Sequence, residues 1–119
     1  MRVRLLDIAH ARSGDKGDMA NVGVIALRQE WYPVMQRMLT SEVVAAHMAP
    51  LIRGRVERFE LPNLWALNFL LHGALDSGGT RSLRIDAQGK VLSTALLRLV
   101  IDVPDAEALS LVLPPYRGA

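Results

Sequence analysis

The 119 residues are enough for one domain with a real core and too few for two ordinary ones. Fourteen Lys+Arg against twelve Asp+Glu leave a formal charge of +2, too weak a field to argue for nucleic acid or an anionic membrane. With no cysteine, disulfides, thiolate catalysis and cysteine metal sites are excluded, and a reducing compartment is permitted.

Half the residues are hydrophobic but only two Trp, two Tyr and two Phe are present, so the core is expected to be aliphatic. The cations are nearly all Arg, which suits fixed pairing with carboxylates or phosphates. The start, Met1 to Asp7, holds Arg2 and Arg4 and reaches Asp7 after only two apolar residues, Leu5 and Leu6, unlike a secretion signal, and no apolar run approaches membrane-spanning length. A cytoplasmic location without membrane association is the expectation.

In chain order, residues 3–9 read as a first strand with apolar residues on both faces and Asp7 as the exception. Asp7 either finds a partner in Arg12, Lys16 or a strand Arg or lies in water on an edge strand. Residues 10–18 then read as a loop, dense in charge and holding Gly14 and Gly17. A second strand follows over 20–27, with Gly23 allowing close approach of another backbone. Trp31-Tyr32-Pro33 opens a helix, and Thr40 can cap a second one that ends near Pro50.

A third strand is expected over 56–61, although Val56 is out of phase with Phe59 and Leu61, and Pro62 ends it. With Asn63 as a cap, residues 64–72 read as a helix that is apolar almost all round, stopped by Gly73. Asn68 and His72, four apart, share one face of it. Such a helix has more apolar circumference than one small sheet covers, which predicts a homo-oligomer or a partner subunit. A turn at 76–80, a fourth strand over 81–86, a helical turn over 91–96, a last strand over 97–103 and a loop-like tail complete the chain. The order predicts an α+β fold, with helices packed on one face of a mixed or antiparallel sheet, as one domain over 1–119.

The polar positions define the candidate sites. Arg12, Ser13, Gly14, Asp15, Lys16, Gly17 and Asp18 suggest an anion cradle, since glycines free backbone N–H groups and Arg plus Lys supply charge. The usual nucleotide loops run from a strand into a helix, however, whereas this one runs from strand to strand, and Asp15 and Asp18 cancel its cations. A structural lock or partner-binding loop therefore stands ahead of an acyl-CoA or other anionic ligand. If the chain is catalytic, Asp15, Lys16 and His72 are the acid–base candidates, with His10, Asp18 and Asn68 of suitable type. His10, Asp15 and Asp18 lack a recognised metal-ligand spacing, so neither a metal nor a cofactor is expected. Nucleic-acid binding is not expected either, because the strands lack stacking aromatics. Asn21, Asn68, His72 and Arg81 complete the ligand- or partner-binding set.

Several separated stretches together carry a family resemblance: His10 through Asp18, Ala20-Asn21-Val22-Gly23-Val24, Glu60-Leu61-Pro62-Asn63, Leu67-Asn68-Phe69-Leu70-Leu71-His72-Gly73-Ala74-Leu75 and Thr80-Arg81-Ser82-Leu83. In this order they resemble the C-terminal domain of the acyclic terpene utilisation A (AtuA-like) family, over about the whole chain. The resemblance implies a ferredoxin-like α+β unit, here as a stand-alone chain, whose larger N-terminal-type neighbour would be a separate subunit. It also implies a role in catabolism of acyclic terpenoids or branched acyl-CoA compounds. It assigns no catalytic residues.

Overall fold

The structure is a computed structural model that describes residues 2–16, 19–73 and 92–104. Strand β1 (Arg2–Arg4) runs into a one-turn helix, α1 (Leu5–Ile8), and then into β2 (Ala9–Lys16) and β3 (Met19–Ala26). A 3-10 turn at Gln29–Trp31 leads to α2 (Tyr32–Met38) and α3 (Ser41–Met48), followed by β4 (Val56–Leu61), a 3-10 turn at Pro62–Leu64, and β5 (Ala66–His72). A helix over 92–97, α4, precedes β6 (Val100–Asp102).

Two sheets result, β1-β6 and a four-stranded β2-β3-β5-β4. Strand β5 lies between β3 and β4 and is antiparallel to both. Strands β3 and β4 with the intervening helices therefore form the split β-α-β unit of ferredoxin-like folds, and β2 is added beside β3. The α+β class with antiparallel sheets is as the sequence predicts.

Strict alternation along β3 explains the layering. Ala20, Val22, Val24 and Ala26 are buried, while Met19, Asn21, Gly23 and Ile25 are half-buried. The buried row continues through Leu67, Phe69 and Leu71 of β5 and meets Trp31, Met35 and Leu39 from the α2 region and Val44 and Met48 of α3. Val3 and Ile101 carry the small sheet into the same core, and Leu5 N–H donates to Leu99 O at 2.8 Å, tying α1 to the segment that leads into β6. His47 Nε2 lies 2.7 Å from Ala95 O, linking α3 to α4.

Local signals set the helix starts. Pro33 sits in the first turn of α2, and the Thr40 hydroxyl accepts from Val43 N–H at 3.1 Å at the start of α3. Thr40→Ala is expected to lower stability by about 1 kcal/mol, read from the midpoint of urea unfolding, because it orphans that N–H.

Three expected elements are corrected. Residues 3–9 are not one strand: α1 interrupts it, and Asp7 is bonded at 3.2 and 3.3 Å by Arg4, a strand Arg at the end of β1. Residues 10–16 are strand rather than loop, because Ala9 and Ala11 are small enough to lie against the core while exposed His10 and Arg12 alternate with them. Residues 66–72 are the central strand β5 and not a helix, because Leu67, Phe69 and Leu71 all face the helices while Asn68, Leu70 and His72 face away. The argument for association from an all-round apolar helix falls with it. The expected strand over 81–86 and the tail from 105 lie outside the described residues.

Candidate functional site: the outer face of the sheet

Residues directly opposite each other in an antiparallel pair share a face. The registers therefore lay out the outer face, away from the helices, in rows. Arg12, Gly23, Asn68 and Phe59 form one row across all four strands. The next is Gly14, Asn21, Leu70 and Glu57, and on the other side stand His10, Ile25, Ala66 and Leu61.

The centre of this face is a polar pair over glycine. Asn21 Nδ2 donates to Asn68 Oδ1 at 3.1 Å across β3 and β5. Asn21 stands opposite Gly14, and Asn68 stands opposite Gly23. A Cβ at position 14 would come within 2.9 Å of Asn21 Oδ1, so glycine there leaves room for the amide to lie flat across the strand. Among the described residues, the pair retains Asn21 Oδ1 as an acceptor and Asn68 Nδ2 as a donor with spare capacity. Arg12 is exposed at the end of the Asn68 row.

His72 Nε2 and Glu57 Oε1 are 2.9 Å apart, a bond that requires the ring proton on Nε2. This bond, helped by Arg55 at 3.7 Å, holds the Glu57 carboxyl below the ordinary carboxylate range against the opposing effect of desolvation. The sign follows: a depressed carboxylate contributes stability above the ordinary range and loses it as pH falls through the lowered value. Glu57→Gln is expected to lower the melting temperature slightly on the neutral-pH plateau and to leave it nearly unchanged below about pH 3, which flattens the acid side of the melting temperature–pH curve between about pH 6 and pH 3.

On the helix side of β4 lies a second polar cluster. Arg58 donates from Nη2 to Gln36 O at 2.6 Å and pairs through Nη1 with Glu60 Oε2 at 3.1 Å. Gln36 Nε2 donates to Glu60 Oε1 at 3.2 Å. Among the described residues, the nearby buried Tyr32 hydroxyl has no hydrogen-bond partner, and neither has Arg58 Nε. Burial, then the charge of Glu60, raises the Tyr32 pKa against the influence of Arg58.

The candidate residues thus divide. Arg12, Gly14, Asn21, Asn68 and His72 are brought to one face, with Ser13 one position along from Arg12 and opposite Val22. Asp15 stands opposite Ala20 and Lys16 opposite Met19. Gly17, Asp18 and Arg81 lie outside the described residues. Sequence reasoning missed Glu57, the partner of His72, and the exposed Phe59 and Leu61 beside it. The signal was present in the phase of β4: Val56 packs against the core, so the out-of-phase Phe59 and Leu61 belong to the other face. Among the described residues, no group of three or more His, Asp or Glu is placed to hold a metal ion, and no helix is long and apolar enough to cross a membrane.

The split β-α-β unit and its polar outer face define an α+β domain of the ferredoxin-like class. The family model of the AtuA ferredoxin-like domain matches residues 3–102, from β1 through β6, and the chain belongs to that family. No curated protein and no solved structure matches it.

Proposed function

We propose that this chain is an accessory or small subunit of an enzyme system that breaks down acyclic terpenoids or branched acyl-CoA compounds, and that it docks by its outer sheet face on a larger AtuA N-terminal-type subunit. The observation that carries the reading is the Asn21–Asn68 pair, a cross-strand hydrogen bond on the face opposite the core. A polar pair with unused donor and acceptor capacity, bordered by exposed Arg12, Phe59 and Leu61, has the mixed character of a transient interface. Family membership supports the pathway, and the mixed polar and apolar character of the outer face supports the docking. The cysteine-free sequence supports a cytoplasmic setting.

The test is capture from extract of the native host with the tagged chain, followed by mass spectrometry. The expected result is recovery of one large subunit carrying the N-terminal-type domain, and on the order of tenfold less of it with Asn21→Ala/Asn68→Ala. Equal recovery by the folded double variant would move the docking site elsewhere, and no large subunit at all would overturn the reading.

One observation favours a second reading, a small stand-alone enzyme acting on an acyl-CoA-type substrate by acid–base chemistry. The carboxylate of Glu57 orients His72, the arrangement that prepares an imidazole for proton transfer. Turnover of an acyl-CoA by the isolated chain, lost in His72→Gln, would establish it in place of the first.

A further inference from the structure

We propose that two copies of this chain associate by pairing their β4 strands antiparallel about a two-fold axis through Phe59. The inference does not rest on the accessory-subunit reading.

Strand β4 is an edge of the four-stranded sheet and pairs with β5 on its inner side. His72 N–H donates to Arg55 O at 3.0 Å, so Arg55 and, by alternation, positions 57, 59 and 61 direct their backbone groups toward β5. The N–H and C=O groups of Val56, Arg58 and Glu60 point the other way. Beyond the sheet ladders, no backbone bond among the described residues reaches 56–61. A row of unpaired donors and acceptors of this kind is a template for another strand.

Charge then selects the occupant and its register. The strand reads Val-Glu-Arg-Phe-Glu-Leu. Two copies centred on Arg58 would place Arg58 opposite itself, and two centred between Arg58 and Phe59 would place Glu57 opposite Glu60 twice. Centring on Phe59 places Arg58 opposite Glu60 of the second copy, twice, with four backbone hydrogen bonds in the ring between them. Like charges directly opposite disfavour the first two registers, and opposite charges favour the third. The charges that protect this edge from promiscuous pairing are thus self-complementary in a single register. The same register brings Phe59, 47% exposed, against Phe59 of the second copy on the outer face, with Leu61, 41% exposed, beside it. An interface of this width is small, so the dimer is concentration-dependent.

The chain has no cysteine, which permits a direct test. In the proposed register position 59 is a non-hydrogen-bonded pair, whose Cα atoms are about 4.5 Å apart, within the span of a disulfide. Phe59→Cys is expected to form a covalent dimer under mild oxidation at concentrations where Leu27→Cys, at an equally exposed position, stays largely monomeric. Adding Glu60→Arg should cut that cross-linking at least several-fold, and adding Arg58→Glu as well should restore it. Light scattering of the unmodified chain should show a mass rising from 13.1 kDa toward twice that value with concentration. Cross-linking of Phe59→Cys no faster than of Leu27→Cys, or a mass fixed at 13.1 kDa at every concentration, would overturn the proposal even if the charge variants fail to fold.

Discussion

Phe69→Ala is expected to lower the unfolding free energy by about 3–5 kcal/mol, while Leu70→Ala next to it costs about 1 kcal/mol or less. Phe69 is fully buried in the core, opposite Val22 on β3, and it stands at the centre of the sheet. Leu70 projects to the other side and is half-buried. Urea unfolding of the two variants measures the contrast directly. Equal losses would mean that both side chains lie in the core, as the helix reading would have them, and would contradict the strand.

That contrast marks the point where the sequence was ambiguous. Residues 66–71 are apolar but for Asn68, and an apolar run has no visible period, so length and Asn63 favoured a helix. The polar residues could not decide it, because positions four apart share a face in a helix and also in a strand. For the same reason the expected common face of Asn68 and His72 is found although the element around them is different. In β3 the alternation was unbroken and the strand was legible within a residue at each end. Pro33 and Thr40 marked the helix starts because their effects are local. In residues 10–16, charge and glycine concealed the period-two pattern of Ala9, Ala11 and Ser13.

The candidate face was legible in part. Arg12, Gly14, Asn21, Asn68 and His72 were chosen by residue type, and the registers assemble them. Glu57 was not, since nothing local joins it to His72, fifteen positions later. Only the hairpin of β4 on β5 brings the two within bonding distance, and that pairing was invisible while β5 was read as a helix. One wrong element therefore hid one site residue.

Gly54→Ala is expected to cost about 1–3 kcal/mol, with Gly23→Ala within about 0.5 kcal/mol of the parent, although both glycines adjoin β-structure. Gly54 and Arg55 both bond to His72: Gly54 N–H donates to His72 O at 2.9 Å, and Arg55 O accepts from His72 N–H at 3.0 Å. Two residues opposite one is a β-bulge, and it brings the backbones close. A Cβ at position 54 would lie 2.8 Å from both His72 Cβ and His72 O, and most of what it meets is backbone, which cannot swing away. The following Gly73 has φ +68, a left-handed conformation that glycine adopts without strain. At Gly23 the nearest atoms are 3.9 Å away, an ordinary contact. The relief for Gly54→Ala is displacement of His72, and the readout extends beyond stability. The folded variant should lose the His72–Glu57 bond and show the same flattened acid limb as Glu57→Gln in its melting temperature–pH curve. A Gly54→Ala protein that melts like the parent and keeps the parental acid limb would mean that the bulge does not position His72.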